Sequence, residues 1–311
     1  MPELPFISII TPSFNQGQFL EATLSSVLEQ DYPRLEYIVI DGGSSDDSRQ
    51  IIERYAPRLA YWVSEPDRGQ AHAINKGLKY AKGDILGWLN SDDVLLPGVT
   101  SKVAQLFAQN PQVDVIYGRL GRIDASGWLI PTPLLPKDRV EFGLDSVLGE
   151  CVVNQPGSFW RRAVMERVGL LNEQLHYSLD YEYWIRMALS GAHFMRLEDV
   201  LAYFRLSSGS KTVGQTTAMA QEQLHVLEAL ASRSDLPEKL GLTPVEVSRR
   251  ARQTRARFQL QAFYGSLKLH QWKATAHWLA GALRDDPSAL FERRWLDLAL
   301  ASFRRRNLHQ S

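Results

Sequence analysis

Short apolar runs alternate with longer amphipathic stretches through the first hundred residues. Phe6–Ile10, Leu35–Ile40, Leu59–Val63 and Ile85–Leu89 have the length and composition of buried strands. Between the first two runs, Phe19, Leu20, Thr23, Leu24, Val27 and Leu28 recur at helical spacing, and Asp31-Tyr32-Pro33 stops that helix. A second helix is expected to reach Tyr55, capped by Ser45 or Asp46. A third is expected from Gln70 to Ala81, with Ala71, Ile74, Leu78 and Ala81 inward. This alternation predicts an α/β architecture: a mostly parallel, Rossmann-like sheet flanked by helices, with the loops at the strands' carboxyl ends forming one site.

The pattern then changes. Pro97–Asn110 reads as a helix, Val113–Tyr117 as a strand, and Asp124-Ala125-Ser126-Gly127 as a hairpin turn. Three prolines in Pro131–Pro136 predict an irregular loop. Val152–Trp160 reads as a strand interrupted at Pro156-Gly157. Helices follow at Arg161–Val168 and Asp180–Leu189, then two closing strands at His193–Leu197 and Leu201–Leu206. From Gln215 the spacing is helical, over Thr216–Ser232, Pro244–Leu269, Trp272–Asp285 and Ser288–Arg305. The expected organisation is therefore a main domain over 1–213, with halves meeting near 118, and a C-terminal helical extension over 214–311. Tyr264, Trp272, Ala276, Leu279, Ala282 and Asp286-Pro287 resemble one tetratricopeptide-type hairpin. A single copy does not build a solenoid.

Charge refines this picture. Lys and Arg number 35, as do Asp and Glu, so no overall field favours nucleic acid, and no reading motif is present. The balance is uneven, because Gly241–Ser311 holds thirteen Lys/Arg against five Asp/Glu. Cys151 is the single cysteine, which excludes an internal disulfide and suits a reducing compartment. The start, MPELPFISII, shows no basic leader or signal-type run. No apolar stretch approaches the roughly 20 residues that span a bilayer. A cytoplasmic protein is expected. The basic C-terminal helices, with Trp272, Trp278, Trp295, Leu296, Leu298 and Phe303, are candidates for peripheral contact with the inner face of an anionic membrane. The alternative is a solvated basic face over a packed apolar one.

The fourth strand runs into Asn90-Ser91-Asp92-Asp93 before the chain turns apolar again. Two crowded carboxylates at the end of a buried strand need compensation. A hard divalent cation that also holds a diphosphate is one such compensation; capping of the next helix is the simpler role.

Four segments occur in order: ISIITPSFNQ, YIVIDGGSSDDS, EPDRGQAHAINKG and ILGWLNSDD. Together they resemble the nucleotide-sugar-dependent glycosyltransferases of family 2, which have the GT-A fold. The likeness is dense over residues 5–100 and looser to about 212. It implies an inverting transfer from a nucleoside-diphosphate sugar to a glycan or lipid-linked acceptor, in the synthesis of cell-surface polysaccharide, with Mg2+ or Mn2+. By the same likeness, Thr11, Pro12, Phe14 and Asn15 line the nucleoside pocket. Asp41 accepts a hydrogen bond from base or ribose, since an ionised carboxylate only accepts. Arg68 forks onto the diphosphate, and Asn75 either touches the donor or holds its loop. Asp93 is the direct metal ligand, and Asp92 meets ribose or sugar with metal contact. Gln155 and Trp160 stand beside the acceptor and sugar, although an interior place for Trp160 is equally compatible. Asp180, four positions before Trp184, is the candidate general base and a candidate helix cap. Glu182 competes with it, two positions on. Relatives often carry His where this chain has Ser207, which leaves the metal to Asp93, diphosphate and water, or gives Lys211 an electrostatic part. His72 and His176 read as surface or structural residues.

Three competing readings remain at this stage. A sugar nucleotidyltransferase would show a basic, Gly-rich loop after the first strand, and Thr11–Gly17 has one Gly and no Lys or Arg. A non-catalytic scaffold would not need Asp41, Asp92, Asp93 and Asp180 together. An adaptor would act through the helical extension.

Overall fold

The computed structural model describes residues 4–131, 141–207 and 215–292. Two compact units are present: Met1–Val147 with Cys151–Ser210, and Leu148–Glu150 with Lys211–Ser311.

In the first unit, β1 (Ile7–Ser13), β2 (Leu35–Asp41), β3 (Tyr61–Ser64) and β4 (Ile85–Trp88) pair in parallel in the order β3-β2-β1-β4. Between them lie α1 (Gly17–Leu28), α2 (Ser48–Tyr55) and α3 (Gln70–Tyr80). Every residue of β1 is buried, so its alternating side chains enter two different layers. Ile7 and Ile9 join a cluster with Leu20 and Leu24 of α1, Ile51 and Ile52 of α2, and Val103 and Phe107 of α4 (Val99–Gln109). Ile10 points the other way, against α3. There Gly77 leaves room for it: a Cβ at that position would lie 2.4 Å from Ile10 Cγ2.

β1 continues through Pro12, beyond the expected end at Ile10. Leu89 N donates to Ile10 O at 2.9 Å, so the even-numbered groups of β1 face β4. The Pro12 nitrogen has no hydrogen to give, and the β1–β4 register ends at Ile10 and Trp88. The β1–β2 ladder instead runs on to Ser13 and Asp41 and is closed by Gly42 N donating to Ser13 O at 2.8 Å. The two central strands therefore part at their carboxyl ends. That point is also where the strand order reverses, the place where open α/β sheets bind ligands.

Beyond β4 the sheet becomes mixed. β8 (Ser158–Arg161) runs antiparallel to both β4 and β6 (Val115–Asp124), and β6 is parallel to β9 (Phe194–Leu206). The short β5 (Val94–Leu95) pairs with the outer side of β9, and β7 (Leu129–Ile130) pairs with β6. One strand, β9, replaces the two expected at His193–Leu197 and Leu201–Leu206. The polar Glu198-Asp199 pair looks like a break, but register shifts between Tyr117 and Leu120 of the partner absorb the irregularity. A bulge bends such a strand without ending it. α5 (Arg162–Val168) and α6 (Leu179–Leu189) complete the unit.

The second unit contains α7 (Thr216–Ala231), α8 (Leu236–Leu240), α9 (Pro244–Lys268) and α10 (Trp272–Asp285). α9 opens with a capping box, Thr243 Oγ1 accepting from Glu246 N at 3.2 Å while Thr243 N donates to Glu246 Oε2 at 2.8 Å. Trp278 of α10 packs on Ala220 and Ala262. The last expected helix begins instead as the 3-10 turn Pro287–Phe291. Residues 293–311, and with them Trp295, Leu296, Leu298 and Phe303, lie outside the described residues, as do residues 132–140, where the irregular loop is expected.

A Cβ at Gly83 would lie 2.5 Å from the Ser8 backbone nitrogen, which cannot move aside. Gly83→Ala is expected to destabilise the protein by about 1–3 kcal/mol, the usual penalty for overpacking. Gly143 has open space around its Cβ position, and Gly143→Ala should stay within about 0.5 kcal/mol of wild type. Urea midpoints at constant m-value check both.

Candidate functional site

The loops leaving β1 and β2 are joined to each other. Asn15 adopts a left-handed backbone, φ 51°, which Asn tolerates better than most residues. Its N donates to Ser44 Oγ at 2.8 Å, and its Oδ1 accepts from Ser45 N at 2.9 Å. Asp41, fully buried, accepts from Ser44 N at 2.9 Å and Ser64 Oγ at 2.7 Å on Oδ2, and from Ser44 Oγ at 2.5 Å on Oδ1. Asp46 is held below the usual carboxylate range: burial opposes this, but bonds from Ser48 and from Gly17 N outweigh it. It thus ties the starts of α1 and α2 together. Thr11 is buried, its hydroxyl 2.7 Å from Tyr37 Oη. Phe14 stands at the mouth of this loop pair, 59% exposed.

The acidic turn follows β4. Asp93 is fully buried and Asp92 half-buried. Asp93 Oδ1 accepts from Arg205 N at 3.1 Å, and Oδ2 accepts from Asn90 Nδ2 at 3.3 Å. Its carbonyl accepts from Thr23 Oγ1 at 2.7 Å. Burial and the adjacent Asp92 charge push the Asp93 carboxyl well above its ordinary range, against the pull of Arg205 and Asn90. Arg205 is itself buried. Its Nε donates to Asp92 O at 2.9 Å, its Nη1 to Asp124 O at 3.1 Å, and its guanidinium lies 4.8 Å over the Phe19 ring. One cation thereby joins the acidic turn, the β6–β7 hairpin and α1.

Asn90 extends the turn sideways. It accepts from Gln70 Nε2 at 2.8 Å and donates to Gln155 Oε1 at 2.9 Å, while Gln155 Nε2 donates to Trp88 O at 2.8 Å. A chain of amides thus connects the start of α3, the acidic turn and the 3-10 turn Gln155–Gly157.

The other candidates of this unit have contacts of their own. Arg68 pairs with Glu173. Asn75, buried, donates to Leu171 O at 2.9 Å and to Glu173 Oε1 at 3.1 Å, and accepts from Leu171 N at 2.9 Å. Asn75 thus holds the chain at Leu171 and Glu173. His72 Nδ1 accepts from Arg68 N at 3.1 Å. Asp180 is half-buried in the first turn of α6, with Oδ1 accepting from Tyr181 N at 2.8 Å. Ser178, not Asp180, occupies the cap position. Glu182 pairs with Arg186 at 2.7 Å, and Arg186 in turn holds the carbonyls of Val168 and Leu170.

Of the two places the sequence leaves open for Trp160, the structure shows the interior one. The side chain is 0% exposed, packed edge-on against Trp88, Tyr183 and Trp184. It offers no face to a sugar, because β8 pairs on both sides and turns that side chain inward.

Four residues of these networks escaped sequence reading: Gln70, Asn90, Glu173 and Arg205. Arg205 carried a signal, as the single charge in the apolar run Leu201–Leu206. Among the described residues no three His, Cys, Asp or Glu converge on a metal position. The available donors are carboxylate oxygens from one turn. That set suits Mg2+ or Mn2+, which commonly take one or two carboxylates and complete their shell with phosphate oxygens and water. Ser207 adds no strong ligand, and Lys211 lies outside the described residues.

The family model "Glycosyl transferase family 2" matches residues 8–169. An uncharacterized glycosyltransferase of Mycobacterium tuberculosis is 34% identical over 196 residues, spanning 61% of this chain and 71% of that protein. Another, of Rickettsia typhi, is 28% identical over 238 residues, spanning 73% and 71%. Among solved structures, S. aureus TarS in complex with UDP-GlcNAc superposes with a TM-score of 0.64 at 18% identity, covering 90% of this chain and 81% of that one. The mannosyltransferase PcManGT from Pyrobaculum calidifontis, in complex with GDP-Man and Mn2+, gives 0.57 at 18% identity, covering 94% and 90%. These likenesses establish the fold as the GT-A type.

Asp93 generates a pH prediction. An acid whose folded pKa is raised binds its proton more tightly in the native state than in the unfolded one. Its effect on stability is nil below the ordinary value of 3.8 and grows more unfavourable as pH rises through the folded value. In metal-free buffer, Asp93→Asn should melt close to wild type near pH 4 and above it at pH 8, by about 1–3 kcal/mol. Thermal melts across that range test the sign.

Proposed function

The chain belongs to glycosyl transferase family 2, and from that premise we propose that it is an inverting transferase. It moves a sugar from a nucleoside-diphosphate sugar to a hydroxyl of a glycan or lipid-linked saccharide, in the synthesis of cell-surface polysaccharide. The observation that carries the reading is the acidic turn at the reversal of strand order, where a buried carboxylate and a half-buried one lie beside the parted ends of β1 and β4. The neighbours support the donor class: one binds UDP-GlcNAc, the other GDP-Man with Mn2+.

In this reading Phe14 walls the base, with Thr11, Pro12 and Asn15 shaping the loop behind it. Asp41 serves the nucleoside through the Gly43-Ser44 backbone it holds, or accepts from it directly. Arg68 leaves Glu173 for the diphosphate. Asp92 and Asp93 hold the divalent cation, which when bound neutralises the diphosphate and stabilises the leaving group. Asp180 takes the proton of the acceptor hydroxyl as its oxygen attacks the anomeric carbon. The bond from that carbon to the diphosphate oxygen breaks on the opposite face, and nucleoside diphosphate leaves. Glu182 is the weaker base candidate, since Arg186 already engages its carboxylate.

Calorimetry with UDP, GDP, dTDP and CDP, each with and without Mn2+, tests the donor half. One nucleotide should bind in a metal-dependent way, and Asp93→Asn should lose that binding. Binding of none would remove the reading. For the base, Asp180→Asn should lower turnover by about 10²–10⁴-fold with nucleotide binding kept, the range for general-base catalysis. Unchanged turnover would return the role to another group.

A further inference from the structure

The basic character of the C-terminal unit is not spread evenly over its surface. From Val247 to Arg284 the chain carries eight Lys/Arg and no Asp or Glu. Two of these cations are engaged at home. Arg255 makes a two-pronged bridge to Asp285, 2.9 Å on each arm, and Arg257 holds Glu292 at 2.7 Å. Trp278, one of the tryptophans expected to face a membrane, is buried in the helical core.

The turn between α9 and α10 is different. Leu269 is 58% exposed and Trp272 60% exposed, and Lys268, His270 and Lys273 are exposed around them. The turn is firmly built. His270 takes the left-handed conformation, φ 56°, at the position where a helix end more often has Gly. His270 N donates to Leu267 O at 3.2 Å and Gln271 N to Ser266 O at 2.9 Å. Ser266 and Thr275, bonded to each other at 3.1 Å, fill the inward positions. Leu269 and Trp272 are left facing out.

Two apolar side chains offer much less surface than the roughly 800 Å² per partner of a standard protein interface. A bilayer asks for less area and a particular composition. Trp and an aliphatic residue favour the headgroup boundary. Flanking Lys side chains lay their stems along the apolar surface and reach lipid phosphates.

We propose that the α9–α10 turn docks on the surface of a bilayer containing anionic phospholipid, with Leu269 and Trp272 entering the headgroup layer and Lys268 and Lys273 facing the phosphates. The inference is independent of the reaction assigned above.

The test is co-sedimentation of the full chain with phosphatidylcholine vesicles, with and without phosphatidylglycerol. Binding is expected only when phosphatidylglycerol is present, and it should weaken as salt is raised. Leu269→Glu combined with Trp272→Glu should abolish it. Lys268→Gln with Lys273→Gln should weaken it about fivefold per lysine. All four positions are exposed, so thermal melts of both variants should match wild type. The proposal is overturned by wild-type failure to bind phosphatidylglycerol vesicles. It is equally overturned by full binding of the Leu269/Trp272 variant, which would place the lipid contact elsewhere. A lipid-free change of sedimentation mass in that variant would make the occupant a second copy of the chain.

Discussion

Everything near the reversal of strand order is arranged around one difficult feature, a fully buried aspartate next to a second aspartate. Isolated, such a pair would push one carboxyl to its neutral form. The fold answers with partial compensation. Arg205 gives Asp93 a backbone bond and a nearby charge, Asn90 gives it an amide, and Thr23 fixes its carbonyl. The Arg205 guanidinium itself donates to the carbonyls of Asp92 and Asp124 rather than to the Asp93 carboxylate. The turn is held in shape while the Asp93 carboxyl stays above its ordinary range, the condition in which a divalent ion contributes most.

The same economy governs the other loops of the site. Asp41 and Asn75 each make several bonds to neighbouring backbone, and Asn15 ties its loop to Ser44 and Ser45. A residue that shapes a loop and one that touches a ligand are often separate ideas, yet here the loop geometry depends on the polar residues that the family likeness singles out. Unsatisfied, the buried groups of Asp41 and Asn75 would cost about 1–3 kcal/mol each. Substituting them will therefore disturb the loop before it removes any contact with donor, and binding data alone will not separate the two effects. Arg68 stands apart, since its exposed pairing with Glu173 contributes little and leaves it free to exchange partners.

Legibility followed the physics of each element. β1, β2 and β4 were readable because both faces are buried and the runs are short and apolar, and the half-buried β3 because its run is likewise short and apolar. Ends were less readable: β1 passes through Pro12 only because β4 has already departed, a fact about another strand. β9 looked like two strands because Glu198-Asp199 breaks the apolar pattern, and the bulge that carries the chain past it is a property of the pair. Asp92 and Asp93 stood out through their crowding. Arg205 and Asn90 did not, because their partners lie 113 and 65 residues away in the chain. Trp160 was left between pocket and interior for a different reason: composition shows an aromatic residue and cannot show which side of β8 it occupies.

That buried tryptophan has a consequence for the chemistry. Trp88 ends the strand that leads into the acidic turn, and Trp184 lies four residues beyond Asp180. Their rings stack at 5.6 Å with an interplanar angle of 4°. Trp160 and Tyr183 close the cluster edge-on. Among the described residues, the three indole nitrogens and the Tyr183 hydroxyl have no hydrogen-bond partner, so shape and dispersion hold the group together. Flat rings resist sliding less than hydrogen bonds do along the stack, but they resist separation strongly when water is excluded. The helix bearing Asp180 is thus packed against the strand that leads into the acidic turn. An inverting displacement, as proposed above, needs base and leaving group held on opposite sides of one carbon, and this packing links the two elements on which that proposal places them.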